Sequence, residues 1–578
     1  MERVETIWVI NEGIPPEVAN ELGRFPELIQ QILFNRGIRT QEAADAFLRA
    51  NTPEYSPFDL LNMATAVETI LDAIEKNKKI VVFGDYDVDG VTSSVILVQL
   101  LQKYNSNVNV FIPNRFDEGY GLSFEAVATV MDMQPDLIIT VDCGVRSAKE
   151  VEYLKLQGVQ VVITDHHQPH TVIPPADAVI CPKQPGDTYP FKDLAGVGIA
   201  YKLAQSLLEK DPIRGISADD WIDLVAVGTI ADMAQLEGEN RTLVRKGLRK
   251  IRLGQNKGLL ALANVCGTNI HQVRSEDIGF RIGPRLNAAG RLDSAYLAFQ
   301  LLMAHTTEEA GDLALKLDQE NRKRQNITRD IQNRMLDKYD PLVHQNFLFF
   351  WDSTFHEGVV GLAASKLVEQ FYRPAIVGVE NNGLVHASCR SIDELNITAA
   401  LDQCEEFLMQ HGGHALAAGL TMKVDQIENF MKAFDQVCTE AFQDQQPVKK
   451  IVAEAEVTFS DLHPENLRYY ELLEPLGNGN SYPLFVSRNI SIKRFYQIGK
   501  EKEHLKMTLT DGSVDFAAIA WRFSEFQETL EAADKIDILY AYETNVYNGE
   551  VSLQLRIIDI KISLPQNGED LINSKTEF

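Results

Sequence analysis

Cysteine, long apolar runs and positive charge are all in short supply in this chain, and each shortage closes off a class of explanation. The six cysteines (Cys143, Cys181, Cys266, Cys389, Cys404 and Cys438) are scattered through 578 residues with no Cys-x-x-Cys pair. That spacing excludes a disulfide framework and a cysteine zinc site, and it fits a reducing cytoplasm. No apolar run reaches membrane-spanning length, and Met1-Glu2-Arg3-Val4-Glu5-Thr6 lacks the basic-then-apolar pattern of a secretory signal. With 55 Lys and Arg against 82 Asp and Glu, the formal charge of −27 argues against a protein that coats nucleic acid nonspecifically. A locally basic groove remains compatible with that charge, because screening confines each charge to about 8 Å at physiological salt. At about 100–200 residues per domain, the length predicts three or four domains.

What is present is organised around Ile80-Val81-Val82-Phe83-Gly84-Asp85-Tyr86-Asp87-Val88-Asp89-Gly90. An apolar run leads into three carboxylates on alternate residues, then glycine and Thr92-Ser93-Ser94, which predicts a buried strand, a loop and a helix start. Carboxylates this close repel unless a cation lies between them, so the pattern points to metal. An EF-hand is excluded. Its twelfth position requires a bidentate Glu, and here that position is Ile96.

From about 66 to 190 strands and helices alternate, with apolar runs at Ile80–Phe83, Val108–Ile112, Leu137–Val141 and Val159–Ile163. Such alternation implies a mostly parallel, doubly wound sheet, whose ligands gather beyond the carboxyl ends of strands. The exits are therefore informative. One carries Asp85, Asp87 and Asp89, another Asp142-Cys143-Gly144, a third Thr164-Asp165-His166-His167. Three exits would deliver carboxylates and imidazoles to one rim.

Asp165-His166-His167, together with Gly84–Gly90, Val141-Asp142-Cys143-Gly144 and Gly228-Thr229-Ile230-Ala231-Asp232, resembles the DHH phosphoesterase superfamily. Ile112-Pro113-Asn114-Arg115-Phe116-Asp117-Glu118-Gly119-Tyr120-Gly121-Leu122 and Arg281-Ile282-Gly283-Pro284-Arg285-Leu286-Asn287-Ala288-Ala289-Gly290-Arg291 resemble its RecJ branch of single-strand 5′→3′ exonucleases. The resemblance implies hydrolysis of phosphodiesters with two ions of Mn2+ or Mg2+, which demands a shared carboxylate and further hard ligands. By resemblance Asp142 bridges the ions, Asp87 and Asp232 complete one site, and Asp89 and His166 the other. His167 faces the scissile phosphate, while Asp165 and Asp85 orient the imidazoles and the loop. DHH-type pyrophosphatases carry a histidine ligand where this chain has Phe83, so that activity is disfavoured.

The remaining segments supply expected contacts to substrate. Arg241–Arg252 is basic and without an acid, a candidate track for a nucleic-acid backbone. Gly283–Arg291 reads as tight-turn residues with forked guanidinium donors, and by resemblance Arg115, Arg285, Asn287 and Arg291 line the DNA path. A helical connector carrying Asn321-Arg322-Lys323-Arg324-Gln325 follows, with solvation the simplest reading of its arginines. A second α/β unit begins near 345 and resembles the DHH-associated domain. Its markers are Ser388 and Arg390 with Gly412, Gly413 and His414, glycines that let backbone amides converge on an anion and form a lid wall gripping the substrate phosphate. From about 450 short strands with turn signals predict a small barrel, similar to the OB-type domain of RecJ proteins, with Tyr496, Trp521 and Tyr547 as stacking candidates.

The expected architecture is therefore α/β and multidomain: 1–60 an N-terminal helical segment, 61–300 a DHH parallel-sheet domain, 301–340 a connector helix. The DHH-associated domain at 341–447, an OB-like β-barrel at 448–562 and a polar tail at 563–578 complete it. The expected activity is 5′→3′ hydrolysis of single-stranded DNA to mononucleotides in repair and recombination. The expected partners are single-stranded DNA, a single-strand-binding protein and a helicase, with the chain acting as a cytoplasmic monomer. A small-substrate phosphodiesterase is the rival within the class, and a non-catalytic replication scaffold the rival outside it.

Overall fold

The computed structural model describes residues 4–49, 54–114, 121–292, 294–443, 445–547 and 550–563. Contacts divide the chain into two compact units. One comprises Met1–Glu5, Thr52–Lys449 and Pro475–Asn480; the other comprises Thr6–Asn51, Lys450–Glu474 and Ser481–Phe578. Among the described residues no helix is long and apolar enough to cross a membrane, and all six cysteines are free.

The first unit opens on a five-stranded parallel sheet whose order is Val108–Phe111, Ile80–Gly84, Leu137–Val141, Gln160–Thr164, Ala178–Ile180. Ile80–Gly84 and Leu137–Val141 are buried along their whole length, as continuous apolar runs in the middle of a doubly covered sheet should be. Each large side chain removed from water there contributes about 1.5–3 kcal/mol. The helices Val88–Lys103, Gly196–Lys210 and Ile222–Ala231 cover one face. The helix Val88–Lys103 is nearly all buried, so its sequence shows almost no polar face. Phe83 is buried, its ring 5.4 Å from Phe111, and so is unavailable as a ligand position.

The basic run 241–252 is only in part the exposed track the sequence suggests. It forms the helix Gly238–Ile251, in which Arg241 is 1% exposed and donates to the Pro475 carbonyl. Lys246 pairs with Glu54, Lys250 donates to the Asp219 carbonyl and Arg252 to that of Val273. Arg241 is buried against a carbonyl that requires a donor, whereas Arg249 is exposed.

The helix Thr307–Asp337 leads to a second, mixed sheet of order Gln410–His414, Ala417–Lys423, Leu384–Arg390, Ala375–Asn381, Leu348–Trp351. His356 caps the helix Glu357–Phe371, accepting the Gly358 N–H at 3.2 Å. Gly412-Gly413-His414 lies on a strand rather than in a turn. It pairs in register with Ala417–Gly419 of the next strand.

In the second unit five strands close into a barrel: Phe485–Ile498, His504–Thr510, Asp515–Ala520, Glu550–Ile562 and Ile536–Tyr547, the last returning to pair with the first. Tyr496 and Trp521 are 51% and 49% exposed, which removes them from its core. A groove of about 680 Å³ runs beside Lys493, Arg494, Tyr496 and Lys502. The N-terminal stretch is not wholly helical. Thr6–Ile10 is a strand paired with Lys449–Ala453, and Trp8 donates to Asp559 at 2.8 Å. Its partners lie hundreds of residues away in sequence, so local patterning could not announce it. Most of the expected tail, 564–578, lies outside the described residues.

Candidate metal centre

The three exits and the end of the helix Ile222–Ala231 meet at one rim. Asp87 caps the helix Val88–Lys103, accepting the Asp89 and Gly90 N–H groups at 2.9 and 3.1 Å. Asp89 is buried and receives two amides from the start of the helix Gly196–Lys210, Gly196 and Val197, each at 2.7 Å. A helix N-terminus stabilises a carboxylate in this way through its unpaired donors. Asp142 leaves its strand with a φ of +62°, a left-handed conformation that Asp tolerates better than most residues. Asp165 accepts the Val145 N–H at 2.9 Å and the His167 backbone N–H at 3.0 Å, and lies 2.7 Å from His167 Nδ1. That contact fixes the His167 ring and makes Nδ1 the donor.

Three overlapping groups result: Asp85, Asp87 and Asp142; Asp89, His166 and Asp232; Asp142, His166 and His167, with the donor atoms of each group within 4.8 Å of one another. Asp142 Oδ1 is 3.1 Å from His166 Nε2, which lies 3.9 Å from Asp89, while His166 Nδ1 lies 3.9 Å from Asp232. This grouping sets Asp232 with Asp89 and His166, rather than with Asp87.

Electrostatics mark the cluster as incomplete without cations. Burial, then the charges of Asp89 and Asp87, pushes Asp142 well above the carboxylate range. Burial and Asp87 raise Asp89 to about 7, and burial with Asp89 and Asp87 raises Asp232 to about 9. Burial lowers His166 to about 3. Burial opposes the charge on both members of the other pair, but their hydrogen bond outweighs it, holding Asp165 below its usual range and His167 above. Asp142 Oδ1 and His166 Nε2 are buried without a hydrogen-bond partner, which is costly unless a ligand completes them. The donor set, carboxylate oxygens with imidazole, suits manganese and magnesium. A Cβ on Gly196 would lie 2.6 Å from Asp142 Oδ1, so the helix approaches the carboxylate only because that residue is glycine.

Gly283–Arg291 is a helix rather than a turn, the preceding Ile278–Ile282 being a π-helical turn. Its work is to hold the acidic loop. Asn287 accepts the Val88 N–H at 3.1 Å, and a Cβ on Gly290 would come within 2.6 Å of the Tyr86 carbonyl. Arg285 pairs with Asp318 at 2.9 Å and donates to the Arg281 carbonyl, and Arg291 is half-buried. Arg324 is not simply solvated. Its Nε is buried, and its charge opposes that of Arg285. Arg115 lies outside the described residues.

Ser388 and Arg390, two apart on one strand, share a face with Gly412 and His414, because Ser388 registers with Gly419 and Gly412, and Arg390 with Ala417 and His414. Gly413 points to the opposite face. Gly361 sits under the first pair, a Cβ there lying 3.1 Å from an Arg390 nitrogen and 3.4 Å from Ser388 Oγ. Burial, and then the charges of Arg146, His167 and Lys183, lower His414. Arg146 and Lys183 are the residues the sequence reading missed. Arg146 donates to the Gln168 carbonyl at 2.7 Å, and Lys183 follows the strand Ala178–Ile180, whose Ile180 carbonyl accepts the Asp165 N–H. Position at a strand exit was the available signal for both.

The chain matches family models for the DHH family, N-terminal domain, over residues 79–229, the DHHA1 domain over 344–440 and the RecJ OB domain over 453–559. It is 36% identical to the single-stranded-DNA-specific exonuclease RecJ of Bacillus subtilis, covering 93% of this chain and 68% of that protein. It is 33% identical to the RecJ of Haemophilus influenzae, covering 93% and 97%. This chain belongs to the RecJ family. The crystal structure of RecJ in complex with Mn2+ from Thermus thermophilus superimposes with a TM-score of 0.81 at 29% identity, covering 96% of this chain and 80% of that one. The same RecJ in complex with Mg2+ gives a TM-score of 0.76 at 27% identity, covering 96% and 78%. The RecJ fold thus accounts for both units, barrel included.

Proposed function

We propose that the chain is a metal-dependent exonuclease that hydrolyses single-stranded DNA from the 5′ end to mononucleotides. The observation that carries this is the buried meeting of Asp85, Asp87, Asp89, Asp142, His166 and Asp232, whose like charges and uncompleted donors need cations. Asp85, Asp87 and Asp142 would hold one ion and Asp89, His166 and Asp232 the other, with Asp142 shared because it also reaches His166. Mn2+ or Mg2+ bound there supplies Lewis acidity to the phosphoryl group and to the attacking water. Asp165 keeps the His167 ring oriented, with Nε2 as the atom that holds or delivers a proton to the phosphate. Ser388, Arg390 and His414, on one sheet face, grip a substrate phosphate, and Lys183 and Arg146 add positive charge between that face and the rim. Asn287 and Arg285 act first on the protein itself, holding the acidic loop and Asp318; Arg115 and Arg291 line the DNA path.

A small-substrate phosphodiesterase has no use for the barrel and its groove beside Lys493 and Arg494. The presence of every expected ligand speaks against a non-catalytic scaffold. The enzyme works as a cytoplasmic monomer in repair and recombination, on strands that a helicase opens and a single-strand-binding protein holds. Digestion of 5′- and 3′-labelled single strands and duplexes with manganese, magnesium or chelator tests the reading. Release of 5′-terminal mononucleotides from the single strand alone, lost on chelation, supports it; cleavage without metal, or of dinucleotides only, refutes it.

A further inference from the structure

The π-helical turn Ile278–Ile282 is anchored by its two ends, Ile278 and Ile282 both being fully buried. Between them Phe280 is 79% exposed, the most exposed aromatic side chain among the described residues. Leaving such a ring in water forgoes about 1.5–3 kcal/mol of burial. The place of the turn gives that exposure a use. A Cβ on Gly279 would lie 3.8 Å from Ile230 Cγ2, and one on Gly283 would lie 3.6 Å from the Ala231 Cβ. The turn therefore rests on the end of the helix that presents Asp232, in the same segment whose Asn287 holds the acidic loop. Arg281 follows Phe280 in sequence, 54% exposed in its side chain and 3.5 Å from Asp277. Insertions of this kind in helices recur at functional sites.

We propose that Phe280 is a base-stacking platform for the single strand at the mouth of the metal centre. The inference rests on the exonuclease reading and adds a positioning residue to it. An exposed ring offers an unpaired base its face, and Arg281, the next residue and 54% exposed in its side chain, adds positive charge on a chain of net charge −27. An unpaired base has a free face to give, whereas a base within a duplex is covered on both sides by its neighbours. An apolar protein partner is the other occupant such a ring would suit, and it would be indifferent to the bases of the DNA.

The test is a double-mutant cycle between the ring and the base it holds. The kcat and KM of the wild type and of Phe280→Ala are measured with Mn2+ on a 5′-phosphorylated single strand. They are measured again on strands in which the 5′-terminal nucleotides are made abasic one at a time. Stacking is worth about 1–3 kcal/mol per base, or about fivefold to about 150-fold. Phe280→Ala is expected to lose that factor in kcat/KM on the intact strand, and Phe280→Tyr to keep the activity. At one position the abasic strand costs the wild type a similar factor and costs Phe280→Ala almost nothing further. The proposal is overturned if the two losses add at every position, or if Phe280→Ala cuts the intact strand like the wild type. Circular dichroism melting and Mn2+ titration establish that the variants are folded with the metal centre intact. A wild type that cuts no single strand refutes the exonuclease reading instead.

Discussion

Gly196→Ala tests the packing behind the metal centre with a single methyl group. The added Cβ would lie 2.6 Å from Asp142 Oδ1, 2.8 Å from its Cβ and 2.9 Å from its Cγ. Ordinary contact begins at 3.4 Å, so something must move by 3.4 − 2.6 = 0.8 Å. Asp142 has little freedom, because it is 1% exposed, has a φ of +62° and donates its N–H to the Thr164 carbonyl at 3.0 Å. If the helix retreats instead, it stretches the two 2.7 Å bonds that Gly196 and Val197 give Asp89. Either route displaces a proposed ligand by most of an ångström. Misplacement by 1 Å costs about 10²-fold in rate, and overpacking about 1–3 kcal/mol in stability. The expected result is a folded protein with a modest fall in Tm, weaker Mn2+ binding by calorimetry, and kcat/KM on a labelled single strand down by about 10²-fold. A Gly196→Ala variant that binds Mn2+ and cuts like the wild type would refute the assignment of Asp142 and Asp89.

Three further outcomes are expected. The raised values of Asp142, Asp89 (about 7) and Asp232 (about 9) stabilise the metal-free protein fully below their unfolded value of 3.8, and that contribution is lost as pH rises through 7 and 9. Mn2+ displaces those protons, so its gain in Tm should grow between acid and alkaline pH; an equal gain throughout by calorimetric melting contradicts this. Asp165→Asn replaces one of the two accepting oxygens with an NH2 donor, so the side chain can no longer accept from both Val145 and His167, and should lower kcat by about 10²–10⁴-fold while Mn2+ affinity by calorimetry is kept. Asp142→Ala should abolish cleavage while sparing DNA binding, whereas Arg390→Ala should weaken DNA binding by anisotropy; equal loss of binding in both breaks the division of roles.

The legibility of the sequence followed the range of the physics. Ile80–Phe83 and Leu137–Val141 read as buried strands because each is continuously apolar, and the structure forms them over Ile80–Gly84 and Leu137–Val141. Asp87 and Asp89 were legible because ligand spacing is local. Arg241 was not, since its burial depends on the Pro475 carbonyl, more than two hundred residues on. Gly283-Pro284 looked like a turn, yet Pro suits a helix's first turn, and Gly290 serves contact with Tyr86 rather than flexibility. Gly412-Gly413-His414 did not announce a strand because pairing with Ala417–Gly419 is set by the sheet, not by glycine content. Lys183 carries no motif of its own, and only the strand order sets it near enough for its charge to act on His166 and Asp232.

The most direct measurement is the anomalous scattering of manganese in crystals of this chain grown with Mn2+. Two peaks about 3.5–4 Å apart are expected, one among Asp85, Asp87 and Asp142 and the other among Asp89, His166 and Asp232, with Asp142 touching both. No peak within this cluster, or manganese bound only elsewhere, would contradict it.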